Sequence, residues 1–312
     1  MKERIAVIDL GTNTFHLLIA ELENKKTNIL HREKQPVKIG VGGINQQVIR
    51  EAAIQRGVTC IKKFRETIDQ WNVNLTLAFG TSALRNAING LEVIEKIKKE
   101  SGIEIKLISG DEEAEYIYFG VRSALSLGKE KSLIVDIGGG SVEFIIGDGE
   151  KIYWKESFEI GAQRLLEQYQ KHDPINAEEI KALDVHFVNS LAPLIHAIHN
   201  LMPTILVGSS GTFDTLSEIY CFNHHIDIAS HPSETPLTIS DFYKIHEEII
   251  SKDRVQRLQI PGMIEMRADM IVVASCLVKY LLTKFSFQKI RVSSYSLKEG
   301  VLAKWKASKN QS

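Results

Sequence analysis

Two similar α/β domains, each built on a mixed sheet, are what this sequence predicts, and three observations carry that reading. The first is a loop present twice: Asp9-Leu10-Gly11-Thr12-Asn13-Thr14-Phe15-His16-Leu17-Leu18-Ile19 reappears, 127 residues on, as Asp136-Ile137-Gly138-Gly139-Gly140-Ser141-Val142-Glu143-Phe144-Ile145-Ile146. The second is another matched pair at almost the same separation, Leu77-Ala78-Phe79-Gly80-Thr81-Ser82 and Leu206-Val207-Gly208-Ser209-Ser210-Gly211-Thr212. Such a separation is too long for a solenoid period and suits two copies of one domain. The third is the order of elements, an opening meander of strands followed by strands alternating with helices.

Each copy of the loop follows an apolar run, Ile5-Ala6-Val7-Ile8 or Leu133-Ile134-Val135, and leads into another, so it reads as strand, tight turn, strand. In the first half the pattern predicts strands Arg4 to Asp9, Phe15 to Glu21 and Asn28 to Ile39, then a helix from Gln47 to Trp71 and strand Leu75 to Phe79. A helix from Ser82 to Lys99, strand Glu104 to Ile108 and helix Glu112 to Leu125 complete it. After the polar Gly128-Lys129-Glu130-Lys131 the set restarts with strands Leu133 to Asp136, Val142 to Gly147 and Lys151 to Phe158, then helices within Ala162 to Tyr169 and Ala177 to His199. Strand Thr204 to Gly208 and a helix from Thr212 follow, and Asn223 to Ser240, rich in His, Ser and Pro, reads as the least ordered stretch. Helices Asp241 to Ser251 and Arg267 to Lys284, strand Lys289 to Ser293 and helix Leu297 to Lys306 end the chain. The expected domains are 1–127 and 128–312, with the final helix packing back on the first.

The 312 residues carry 38 Lys and Arg against 39 Asp and Glu, a formal net charge of −1, so no global field attracts polyanions and any anion site is local. No basic run interleaved with aromatics tracks a nucleic acid polymer. Cys60, Cys221 and Cys276 are widely spaced, without a CxxC pair, which argues against a disulfide framework and a zinc site and for the cytoplasm. The apolar run after Lys2 and Arg4 is a core strand and not a signal peptide, and Met270 to Val278 is too short to span a bilayer, so no membrane association is expected.

Two facing domains with such loops imply a phosphate-binding cleft between them. The small residues Gly11, Thr12, Asn13 and Thr14, and their counterparts Gly138, Gly139, Gly140 and Ser141, leave backbone N–H groups open to an anion. Ser209, Ser210, Gly211 and Thr212 offer a further such turn, informative only beside its partner Gly80-Thr81-Ser82. Asp9 and Asp136 end strands where hard oxygen ligands meet a phosphate-bound divalent cation. A turn Asp bonding its own backbone is the plainer reading of each, and the matched pair favours the functional one. Glu143 aligns with His16, sits nearest the turn and lies within reach of Asp136. A solvated edge residue is the alternative for Glu143, and His16 reads as a structural histidine.

Ser109 and Glu112 have capping-box spacing, which explains Glu112 without catalysis; Glu113 points elsewhere on that turn and is the candidate general base. Arg85, in the helix after Gly80-Thr81-Ser82, either reaches a phosphate or makes a surface ion pair. Arg267 either serves an anion or pairs with Asp269, and Lys38 is a solvated strand residue or a phosphate contact.

Together, Asp9 to His16, Gly80-Thr81-Ser82-Ala83-Leu84-Arg85, Ser109-Gly110-Asp111-Glu112-Glu113-Ala114, Asp136 to Glu143 and Arg267-Ala268-Asp269-Met270 resemble the exopolyphosphatase and guanosine pentaphosphate phosphohydrolase family over nearly the whole chain. The resemblance implies the ribonuclease-H-like domains of the actin-like ATPase superfamily (acetate and sugar kinases, Hsp70, actin), with an interdomain active site. It also implies Glu113 as the base that orients the attacking water, and Asp136 and Glu143 as holders of Mg²⁺ or another divalent cation, with Asp9 nearby. Val142 stands where a Thr is frequent, and Lys38 where an Arg is frequent, which removes a bidentate phosphate contact. Family members often continue into further helical domains, whereas this sequence is expected to hold only the first two, so the resemblance does not imply a long-polymer channel or processivity linked to those domains.

The expected activity is hydrolysis of a terminal phosphoanhydride of inorganic polyphosphate or guanosine pentaphosphate, between which the residues do not choose. A small-molecule kinase of the same fold and a nucleotide-binding regulator without turnover are the rivals. A homodimer is a further expectation.

Overall fold

The computed structural model describes residues 3–23, 26–231 and 233–309. The chain divides into two compact units, one of Met1–Glu113 with Val301–Ser312 and the other of Ala114–Gly300.

In the first unit, β1 (Glu3–Leu10), β2 (Phe15–Glu23) and β3 (Lys26–Gln35) form the expected meander, and β4 (Leu75–Gly80) and β5 (Ile105–Leu107) extend it in the order β3-β2-β1-β4-β5. The first three strands pair antiparallel, whereas β4 and β5 run parallel to β1. Parallel neighbours need a crossover, which α1 (Glu51–Gln70) supplies between β3 and β4, while α2 (Ser82–Asn86) and α3 (Gly90–Ser101) lead to β5. Ile8, Leu10, Phe15, Ile61 and Phe64 join in one core between the sheet and α1.

The second unit opens with α4 (Gly110–Ala124), which begins in the first, and repeats the plan with β6 (Ser132–Ile137), β7 (Val142–Gly147) and β8 (Ile152–Phe158). After α5 (Ala162–Tyr169), α6 (Ala177–Ser190) and α7 (Ala192–Leu201), β9 (Ile205–Ser209) pairs parallel with β6. Next come α8 (Ser210–Asn223), β10 (Glu234–Thr235), α9 (Ile239–Ser251), α10 (Arg254–Arg257) and α11 (Ile271–Lys284), then β11 (Lys289–Ser293) and α12 (Leu297–Lys309). The sheet order is β10-β11-β9-β6-β7-β8, the first sheet's order with β10 added outside β11. Sheets with this repeated order are those of the actin-like ATPase fold. Every residue of β6 and β9 is buried, which is why both read as continuous apolar runs.

Four expected elements are cut differently. The strand predicted to reach Ile39 stops before Pro36, which has no N–H for a ladder. The helix predicted over Ser82 to Lys99 breaks between α2 and α3, where Asn89 grips both the N–H and the C=O of Ile49 and the Ile88 N–H donates to Gln47. The helix over Ala177 to His199 breaks at Leu191, with a proline in the first turn of α7. The helix predicted from Arg267 begins instead at Ile271 after a short 3-10 turn, Glu265–Arg267. The stretch read as least ordered contains β10, held to β11 by a two-pronged pair in which Arg291 donates to both carboxylate oxygens of Glu234 at 2.6 and 2.7 Å; Pro232 lies outside the described residues.

Candidate active site

The duplicated loop has the same geometry in each unit. Gly11 N–H donates to Thr14 O at 3.2 Å, and Gly138 N–H donates to Ser141 O at 3.0 Å. Asp9 lies directly opposite His16 across β1 and β2, as Asp136 lies opposite Glu143 across β6 and β7. Behind each turn the segment that follows the meander, a strap, folds over it. Lys38 N–H donates to Asn13 O (2.8 Å) and Gly40 N–H to Thr12 O (3.0 Å); in the other unit Gly161, Ala162 and Gln163 donate to Gly140, Gly138 and Gly139 at 3.2, 2.9 and 2.9 Å.

Those bonds decide where the turn's donors face. In a trans peptide the C=O of one residue and the N–H of the next point in opposite directions. Carbonyls pinned at Gly138, Gly139 and Gly140 therefore aim the N–H groups of Gly139, Gly140 and Ser141 away from the strap, and among the described residues none of the three donates to another main-chain carbonyl. The same reasoning turns the N–H groups of Asn13 and Thr14 outward. Successive outward N–H groups form a nest for an anion.

Asp136 and Glu143 are 5% and 1% exposed. As directly opposed residues of an antiparallel pair they share one face, with Cβ atoms about 5 Å apart, an arrangement that is destabilising for two like charges. Ser209 Oγ donates to Asp136 at 3.0 Å and Ser157 Oγ to Glu143 at 2.7 Å. Burial pushes the Asp136 carboxyl above its ordinary range, and hydrogen bonds from Ser209 and Ser210 pull it part of the way back. Two hard oxygen donors on one face match the share of ligands that Mg²⁺ takes from protein, since it keeps several waters and takes the rest from phosphate. Among the described residues there is no cluster of three or more His, Cys, Asp or Glu side chains set to hold a metal.

Ser209, Ser210, Gly211 and Thr212 lead from β9 into α8. The Ser209 hydroxyl is committed to Asp136 and to Tyr295 O, and Ser210 adopts a left-handed φ of +71°. Gly211 packs against Arg267: a Cβ there would meet the guanidinium at 2.2–2.5 Å. Arg267 is only 7% exposed, and its Nε has no hydrogen-bond partner among the described residues. Burial lowers its pKa, against the opposing charges of Asp214 and Asp136. Asp269, the partner suggested by sequence, pairs with Arg254 at 3.0 Å instead. A buried cation with an unsatisfied donor at a helix N-terminus is suited to an anion.

In the first unit, Ser109 and Glu112 close the capping box at the start of α4, with bonds of 3.1 and 3.0 Å. This leaves Glu112 half-exposed and turns Glu113 inward, 7% exposed. Arg85 Nη1 donates to Glu113 Oε2 at 2.9 Å and to Ile108 O at 3.2 Å. The ion pair weighed for Arg85 thus exists, but its partner is the candidate base. Lys38 is exposed and outside any strand, with φ of +51°; His16 is half-buried.

The profile of the Ppx/GppA phosphatase family matches residues 18–309. The chain belongs to the Ppx/GppA phosphatase family. This family member is 32% identical over 298 residues to a putative exopolyphosphatase of Haemophilus influenzae, covering 96% of the chain and 90% of that protein. It is 30% identical over 297 residues to a guanosine-5'-triphosphate,3'-diphosphate pyrophosphatase of Photobacterium profundum, covering 95% of the chain but only 58% of that protein. Its fold superimposes on the crystal structure of an exopolyphosphatase from Cytophaga hutchinsonii with a TM-score of 0.95, at 44% identity and 98% coverage of both chains.

The straps behind the turns escaped sequence reasoning in this Ppx/GppA protein, although a signal was there. Val37-Lys38-Ile39-Gly40 and Phe158-Glu159-Ile160-Gly161 are a third repeat, ending in Ile-Gly. The glycine is required by close approach: a Cβ on Gly161 would lie 2.4 Å from backbone carbons of Gly139 and Gly140, and one on Gly40 would lie 2.5 Å from Thr12.

Proposed function

We propose that this protein hydrolyses the terminal phosphoanhydride of inorganic polyphosphate, releasing orthophosphate, and acts on guanosine pentaphosphate through the same chemistry. The observation that carries the proposal is the paired turn with carbonyls pinned behind and N–H groups in front, an oxyanion-type donor set present in both halves. The relatives named exopolyphosphatase and guanosine pentaphosphate pyrophosphatase support the substrate class.

In this reading the N–H groups of Gly139, Gly140, Ser141, Asn13 and Thr14 take phosphate oxygens, and the buried Arg267, packed on Gly211, adds a fixed positive charge. Glu113 accepts a proton from the attacking water, and Arg85, donating to Oε2, fixes the carboxylate's direction. Asp136 and Glu143 would hold Mg²⁺ or another divalent cation, which supplies neutralisation of charge on the transferring phosphate; Asp9 heads the equivalent turn as the further carboxylate. A cytoplasmic protein with a homodimeric state belongs to the same proposal. Among the described residues no helix is long and apolar enough to cross a membrane, and all three cysteines are free and buried.

The test is phosphate release measured side by side from short and long polyphosphate, guanosine pentaphosphate and ATP, with and without Mg²⁺. Release from polyphosphate that needs Mg²⁺ is expected. Phosphorylation of an acceptor by ATP without release to water would replace this reading with a kinase, and tight binding without turnover with a regulator.

A further inference from the structure

We propose that Arg56 and Arg164 are a matched pair of positioning residues, each fixing the backbone of one phosphate turn so that its donors face the substrate. Each lies on the first α-helix after its unit's third strand, Arg56 on α1 and Arg164 on α5. Arg164 Nε donates to Gly140 O at 2.7 Å, and Nη2 pairs with Glu159 at 3.0 Å. Gly140 O already accepts from Gly161 N–H. Two donors on one carbonyl hold that peptide plane, and with it the outward Ser141 N–H.

Arg56 acts one step further back. Its Nε donates to Val37 O at 2.8 Å and Nη2 to Lys38 O at 3.0 Å, while Nη1 reaches Ala52 O at 3.2 Å. Lys38 has φ of +51°, a conformation unfavourable for a residue with a Cβ. The guanidinium, bridging the carbonyls on either side of the Lys38 α-carbon, holds that conformation and so keeps Lys38 N–H on Asn13 O and Gly40 N–H on Thr12 O. Neither arginine lies in the duplicated loop itself, and in both halves the grip is on main-chain oxygen.

The two grips differ in a way that makes the idea testable. A lysine at 164 retains a donor for the single carbonyl of Gly140, whereas a lysine at 56 has no fork to span two carbonyls. The inference rests on the proposed phosphate release, measured as kcat and KM on short-chain polyphosphate with Mg²⁺ for wild type, R56A, R56K, R164A and R164K. Circular dichroism and melting verify the fold of each. Both alanine variants should lose about 10- to 100-fold in kcat, as misplaced reacting groups do, with a smaller change in KM. R164K should recover most of the loss and R56K little, and millimolar guanidinium should partly restore R164A. If R164A does not fold, R164K and R56A carry the comparison. Folded variants with kcat within about two-fold of an active wild type would overturn the clamp alone, as would equal recovery by both lysines. A wild type that releases no phosphate would overturn the proposed function and the clamp with it.

Discussion

Glu112 and Glu113 are chain neighbours with opposite surroundings. Glu112 is spent on the capping box and on Lys106 at 2.8 Å, whereas Glu113 turns inward to Arg85. This separation was legible from spacing, because a capping box fixes which carboxylate of the first turn faces the helix start. The packing of Arg267 on Gly211 was not, since nothing local in either segment encodes it. Glu113→Gln should keep the fold and the Arg85 contact, yet lower kcat for phosphate release by about 10² to 10⁴; full activity in a folded variant would remove Glu113 as the base. Away from the site, buried His246 contacts Ser275 Oγ at 2.9 Å, and burial, with Lys279 adding a smaller effect, lowers its pKa to about 4. The folded state therefore prefers the neutral ring: the stability it contributes is complete above the unfolded pKa of about 6.5 and is lost as pH falls toward 4. Urea denaturation should show about 2 kcal/mol less stability at pH 5 than at pH 7.5 from this group, and His246→Gln should flatten that difference. An unchanged slope in the variant would assign the acid sensitivity to other groups.

Strands were easier to read than helix ends. The period-2 and continuous apolar runs gave β7 and β11 to the residue, because sheet burial dictates those sequences directly. The break between α2 and α3 arises from tertiary contacts such as Asn89 with Ile49, which no local pattern carries, whereas the end of β3 before Pro36 was open to a local reading. The strap is the element most sensitive to a single added carbon. Gly161→Ala places its methyl against backbone on the Gly139 and Gly140 side, where neither neighbour has a side chain to move aside. Overpacking of this kind costs about 1–3 kcal/mol. Denaturant titration should show that loss together with reduced phosphate release. Retained stability and activity in Gly161→Ala would show that the turn is held by other contacts.

At the scale of the whole molecule, one plan is used twice and specialised once. Both sheets share strand order, turn hydrogen bonds and strap, and the opposed residue after the turn is His16 in one half and Glu143 in the other. The duplication was visible in the sequence because the turn needs small residues at fixed positions; the divergence was visible because one copy carries an imidazole and the other a carboxylate at the same position. Asp136 and Glu143, opposed and buried, are expected to govern the divalent-cation requirement. Asp136→Asn and Glu143→Gln should each raise the Mg²⁺ concentration needed for half-maximal phosphate release, and Asp9→Asn should do so less. An unaltered Mg²⁺ dependence in both of the first two variants would place the cation elsewhere.

In the proposed reaction water, directed by Glu113, attacks the terminal phosphorus. Turnover of short-chain polyphosphate in ¹⁸O-labelled water, followed by mass spectrometry of the products, reads this directly. One solvent-derived oxygen is expected in each orthophosphate released, and none in the shortened chain. Unlabelled orthophosphate with label on the chain, or transfer of the phosphate to an acceptor other than water, would contradict it.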